Sequence, residues 1–167
     1  DELRSQISMK LSAENNLNYD KNEIIVSTGA KQPIFNSMLA ICDVGDEILI
    51  PSPYWVSYIE IAKIAGVTPI IVPTKEENDF KVTKEDLKPF ITNKSKAILF
   101  SNPCNPTGSI YSYEELEDLS KFCLENSLII ISDEIYERIY YETKPLSIAN
   151  ISKEVKDSTI IINGFSK

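Results

Sequence analysis

A chain of 167 residues, 43% hydrophobic and 25% charged, is long enough for one globular domain with its own core and too apolar for a disordered segment. Its 17 Lys and Arg against 25 Asp and Glu give a net charge of −8, which argues against binding a nucleic-acid backbone. There is no His, which removes Ser-His-Asp triads, Cys-His pairs, His-based zinc sites and imidazole acid–base chemistry.

Cys42, Cys104 and Cys123 are odd in number and lack C-x-x-C spacing, so they form neither a disulfide framework nor a tetrahedral metal site. Free thiols of this kind predict a reducing, cytoplasmic setting. No apolar run approaches the ~18 residues of a membrane span. The chain opens Asp1-Glu2-Leu3-Arg4, with no initiator Met and no basic-then-apolar leader, and reads as a piece of a longer protein.

Leu3, Ile7 and Leu11 recur at four-residue spacing and predict an amphipathic helix over residues 1–16. The β-branched run Ile24 to Thr28 predicts a strand ended by Gly29, and Ile34, Phe35, Met38 and Leu39 predict the helix after it. Glu47–Ile50 is a short strand closed by Pro51-Ser52-Pro53-Tyr54-Trp55, followed by a helix over Val56–Ala65 and a strand over Pro69–Val72. Lys75–Lys88 is charged and predicted to be solvated surface, with a helix starting at Thr83. Lys96–Phe100 is a buried strand running into Asn102-Pro103-Cys104-Asn105-Pro106-Thr107-Gly108. Ser112 and Glu115 form an S-x-x-E capping box for a helix with Leu116, Leu119, Phe122 and Cys123 on one side. Leu128–Ile131 and Thr159–Ile162 are aliphatic strands. Strands apolar on both faces and alternating with helices predict an α/β domain whose mostly parallel sheet is covered on both sides.

In such sheets ligands bind beyond the carboxyl ends of the strands, so the residues that follow each strand are the candidates. Gly29-Ala30-Lys31 opens a helix whose free N–H groups suit a phosphate, although in isolation a plain turn explains the triplet better. Trp55, the only tryptophan, offers a flat ring for stacking, or else packs in the core. The Asn-Pro-Cys-Asn-Pro loop has two φ angles fixed by proline, and its X-Pro bonds are candidates for the cis form. Asp133 follows a wholly apolar strand, where a carboxylate is costly without a positive partner. The chain has only two Arg, Arg4 and Arg138, so a protonated ring nitrogen of a bound cofactor is one such partner, and capping of the next turn is the plainer alternative. Lys167 at the end of the chain is a candidate carbonyl-trapping nucleophile if enclosed, and an ordinary exposed lysine if not.

Taken together and in order, Gly29-Ala30-Lys31, Ser52-Pro53-Tyr54-Trp55, the Asn102–Gly108 loop, Ser132-Asp133-Glu134-Ile135-Tyr136 and Gly164-Phe165-Ser166-Lys167 resemble the class I/II aminotransferases, pyridoxal 5′-phosphate enzymes of fold type I. The resemblance covers the whole chain and is nearest in wording to the bacterial aspartate aminotransferase branch. It implies a three-layer α/β/α architecture, with residues 1–167 forming part of a cofactor-binding large domain. It implies that Lys167 attaches pyridoxal phosphate covalently and moves the proton at the substrate α-carbon. Asp133 would pair with the pyridinium nitrogen, and Tyr136 and Asn105 with the ring oxygen. Trp55 would stack on the ring, Gly29, Ala30 and Lys31 would cradle the phosphate, and Trp55 and Asn105 would border the substrate. Some relatives carry a Ser three residues before the lysine, where this chain has Gly164.

The expected reaction is transamination between L-aspartate and 2-oxoglutarate, in a homodimer. The family's substrate-carboxylate Arg, a second phosphate-binding Arg and the partner-donated Tyr would lie outside residues 1–167. Neither Arg4 nor Arg138 matches them, so these residues alone are expected to turn over little aspartate. The alternatives are an aromatic or prephenate aminotransferase, a lyase or acyl-CoA-dependent synthase on the same scaffold, or a non-catalytic interaction module.

Overall fold

The computed structural model describes residues 1–167. Its centre is a five-stranded, all-parallel sheet in the order β2-β1-β3-β4-β5, formed by β1 (Glu47–Ser52), β2 (Thr68–Pro73), β3 (Ser95–Ser101), β4 (Ile129–Asp133) and β5 (Thr159–Ile162). Parallel neighbours need crossovers, and α3 (Ser57–Ile64), α4 (Lys84–Leu87), α5 (Tyr113–Glu125) and α6 (Lys153–Asp157) supply them; α2 (Lys31–Ile41) precedes β1 and packs on the same face as α3. The α/β class expected from the alternating pattern is what forms.

Side-chain parity sorts the core into two layers. Ile48, Ile50, Ala97, Leu99 and Ile131 face Ile34, Met38, Tyr58 and Ile61 of α2 and α3. Leu49, Ile98, Phe100 and Ile130 face Leu87, Leu116, Leu119, Phe122 and Val155 of α4, α5 and α6. The strands are apolar on both sides because both sides are covered. The predicted box at α5 is present: Ser112 Oγ accepts from Glu115 N at 3.2 Å, and the Glu115 carboxylate accepts from Ser112 N at 2.7 Å.

The strand order sets where a ligand can sit. β3 returns beside β1 on the side away from β2, so the chain reverses its direction of travel between β1 and β3. At such a switch the loops after adjacent strands diverge to opposite faces and leave a crevice.

Three expectations need correction. Residues 24–28 form no strand, because no strand of the sheet lies beside them; the backbone at Ile24 is extended, yet Ile25 is 84% and Val26 52% exposed. β-Branched residues favour an extended chain, but a strand also needs a neighbour for its N–H and C=O groups. The first helix, α1 (Glu2–Asn15), forms but buries no residue. It is held instead by polar contacts: Lys10 and Asn15 to the Glu137 carboxylate, the latter at 2.9 Å, and Asn150 Nδ2 to Asn15 O at 3.0 Å. Lys75–Lys88 is not wholly solvated either, since Val82 and Leu87 are buried and Val82 N donates to the Tyr111 hydroxyl at 2.9 Å.

Leu99 is fully buried in the layer under α2 and α3. Leu99→Ala should cost about 2–5 kcal/mol of stability, read as a lower urea midpoint with an unchanged m-value.

Candidate active site

The carboxyl ends of β1, β3, β4 and β5 surround a cleft of about 280 Å³. Each wall comes from a different segment that the sheet brings together. Ala30 and Lys31 stand at the start of α2, Trp55 and Tyr58 after β1, Asn105 after β3, Asp133, Ile135 and Tyr136 at and after β4, and Ser166 and Lys167 after β5.

Asp133 ends β4, in register with Ser101 of β3 and Ile162 of β5, and its carbonyl accepts from Asn102 N at 3.0 Å. Its side chain is on the α2/α3 face and its residue exposure is 2%. Tyr58 Oη donates to Asp133 Oδ2 at 2.6 Å, and Ile135 N donates to Oδ1 at 3.2 Å. The turn-capping role and the cleft position therefore coexist. None of the chain's ion pairs includes Asp133. Burial raises its carboxyl above the ordinary value, against the lowering effect of the Tyr58 and Ile135 hydrogen bonds. The expected cationic partner is thus not a side chain of these residues.

Trp55 lies edge-to-face with Tyr58, ring centroids 5.6 Å apart, and the Lys31 ammonium is 5.1 Å from the Trp55 centroid. Trp55 precedes α3 and is half-buried against the core, so the stacking and packing readings both hold in part. Asn105 Nδ2 donates to the Tyr136 hydroxyl at 3.2 Å, and the Lys167 ammonium stands 5.6 Å from the Tyr136 ring centroid. Lys167 is exposed, as expected of a terminal lysine, yet it lines the cleft.

The two asparagines of the proline loop have separate tasks. Asn102 is buried; it accepts from Tyr111 N at 3.2 Å and donates to Leu146 O at 2.9 Å. That structural anchor leaves Asn105 to face the cleft. The Ser52-Pro53, Asn102-Pro103 and Asn105-Pro106 bonds are cis.

Gly29 has φ +65°, a conformation glycine adopts without strain, and lies just outside the cleft wall. Gly164 serves differently: a Cβ there would come within 3.0 Å of Ile135 Cδ1. Ile135 thus occupies the space where a side chain at 164 would stand. Arg4 and Arg138 lie away from the cleft, paired with Asp1 and with Glu14 (the latter at 2.5 Å).

Sequence reasoning missed Tyr58 and Ile135. The signal for Tyr58 was its three-residue step from Trp55, which places both on one side of a helical turn. Nothing in the sequence distinguished Ile135 from a core residue.

The sequence pattern of the family described as aminotransferase class I and II matches residues 1–167. The chain belongs to that family. This aminotransferase-family chain is similar to the aspartate aminotransferase of Bacillus sp. (strain YM-2), 48% identical over 99% of the chain and 42% of that protein. It is 47% identical to the probable aspartate/prephenate aminotransferase of Aquifex aeolicus, over 99% of the chain and 42% of the relative. Among solved structures, the aspartate aminotransferase of Thermus thermophilus with maleate superposes with a TM-score of 0.94 at 38% identity, covering 99% of this chain and 43% of that one. The aromatic aminotransferase of Pyrococcus horikoshii OT3 gives 0.94 at 40% identity, covering 99% and 45%. The chain therefore spans about two fifths of the length of these relatives, and its fold is that of the fold-type-I aminotransferases.

Members of this aminotransferase family use pyridoxal 5′-phosphate, and the cleft fits such a group. Its lining includes a buried carboxylate without a cation, an amine, an aromatic face and the first residues of a helix. The first N–H groups of α2 have no intrahelical acceptor and are available to an anion.

Tyr58→Phe would leave Asp133 Oδ2 without its donor. The variant should lose about 1–3 kcal/mol at neutral pH, measured by urea unfolding. Because the folded-state pKa of Asp133 is raised, its contribution to stability is complete below the unfolded carboxylate value and is lost as pH rises through the folded one. The Tyr58 hydrogen bond opposes that loss by favouring the ionised carboxylate, so the cost of Tyr58→Phe should be larger at pH 7 than at pH 4.

Proposed function

We propose that the protein containing this chain is a pyridoxal-phosphate-dependent aminotransferase that passes an amino group between L-aspartate and 2-oxoglutarate. The observation that carries this reading is the buried Asp133 carboxylate, which has no cation of its own and opens onto a cleft that Lys167 also lines. The relatives named aspartate aminotransferase support the choice of substrate.

When bound, pyridoxal phosphate supplies an electron sink for the bonds at an amino acid's α-carbon. Asp133 would hold a proton on the ring nitrogen, a task for which its burial and its two donors keep the carboxylate fixed. Tyr136 and Asn105, already hydrogen-bonded to each other, would donate to the ring oxygen. Trp55 would cover one face of the ring. Gly29, Ala30 and Lys31 would direct backbone N–H groups at the phosphate. Lys167 supplies the amine for the cofactor's carbonyl carbon and would carry a proton to and from the substrate's α-carbon. Trp55 and Asn105 would also border the amino-acid substrate.

We place this enzyme in the cytoplasm, where Cys42, Cys104 and Cys123 stay reduced, and we take it to act as a homodimer. A prephenate or aromatic specificity is the second reading, favoured by the names of the Aquifex relative and the Pyrococcus structure.

Borohydride reduction of the full-length holoenzyme should fix the pyridoxyl label on the peptide containing Lys167, and Lys167→Ala should carry none. A label on any other peptide would falsify the assignment. In a panel of amino donors, kcat/KM for L-aspartate should exceed that for tyrosine by about tenfold or more. The reverse order would establish the aromatic reading.

A further inference from the structure

Within the run from Asp133 to Tyr136, Glu134 alone does not face the cleft. Strand parity points it to the opposite side of the sheet, where it is only 4% exposed. There its carboxyl accepts from Ser147 Oγ at 2.7 Å and from Ser132 Oγ at 3.1 Å, and all three side chains are buried. Its main chain is equally committed. Glu134 N donates to Ile162 O of β5 at 2.8 Å, and Glu134 O accepts from Glu137 N at 3.0 Å, closing the turn that contains Tyr136. No side chain makes an ion pair with it; Lys10 is the nearby cation and is paired with Glu137, while Glu137 and Tyr19 face it from the turn and from the segment after α1.

A buried carboxyl without a countercharge is expensive, and an apolar residue of similar size would be cheaper if filling space were its only task. We propose that Glu134 is a positioning residue. By tying the strand end and the turn to Ser132 and Ser147, it fixes the angle at which Asp133 and Tyr136 enter the cleft, and so how tightly the cleft holds the pyridoxal ring. The inference rests on the proposed function for the identity of the ligand. Burial pushes the Glu134 carboxyl up to about 7, so its neutral form is well populated near neutrality and an amide mimics that form.

The test compares Glu134→Gln, Glu134→Ala and Ser147→Ala in the full-length protein. Three quantities are measured: the dissociation constant for pyridoxal phosphate, the pH midpoint of the bound cofactor's visible band, and the melting temperature without cofactor. Glu134→Ala should weaken pyridoxal phosphate binding roughly tenfold, as expected for the loss of two buried hydrogen bonds, and move the midpoint by about half a pH unit or more. Glu134→Gln, which can still bond both serines, should stay within about threefold of wild type with an unmoved midpoint. Ser147→Ala should fall between the two, and it decides the matter if Glu134→Ala does not fold. Lower melting temperatures with wild-type affinity and midpoint would reduce Glu134 to a stabilising residue and overturn the inference alone. A wild-type protein that binds no pyridoxal phosphate would overturn the proposed function and this inference together.

Discussion

The carboxylate of Asp133 is the constraint around which the cleft is arranged. An ionised group at 2% exposure persists only where its oxygens are satisfied, and here the Tyr58 hydroxyl and the Ile135 amide satisfy one oxygen each. Both donors must hold their positions. Tyr58 does so because α3 packs against the sheet and Trp55 meets its ring edge-to-face. Ile135 does so because the turn after β4 is tied to β5 through the adjacent Glu134 N–H. The polarity of the cleft thus depends on the same packing that builds the apolar layer beneath it.

Parity is the second organising fact. Successive residues of a strand face opposite layers, so the step from Asp133 to Glu134 separates two buried carboxyls by the thickness of the sheet. One meets Tyr58 and the cleft, and the other meets Ser132 and Ser147. Two acids adjacent in sequence are thereby spared direct mutual repulsion, and a five-residue strand supports chemistry on one side and anchorage on the other.

Much of this was legible in the sequence. The five aliphatic strands that form the sheet, the proline turns after β1 and β3 and the Ser112 capping box each depend on local chemistry, and each forms near its expected boundary. Lys31, Trp55, Asn105, Asp133, Tyr136 and Lys167 do line one cleft; position at a strand end or helix start made each a candidate, and it was the resemblance of the ordered motifs that joined them into one site. What escaped was non-local. Residues 24–28 have the composition of a strand but no neighbour to pair with, and the α1 stripe is only partly covered, with Ile7 and Leu11 half-buried and Leu3 exposed. The Tyr58–Asp133 bond joins positions 75 residues apart, which no periodicity could announce.

Gly164 and Ile135 compete for one small volume beside the cleft. With only 3.0 Å between a hypothetical Cβ at 164 and the Ile135 methyl, the two positions trade volume. A side chain at 164 would displace that methyl by a few tenths of an ångström, so the volume placed at one position bears on the rotamer taken at the other.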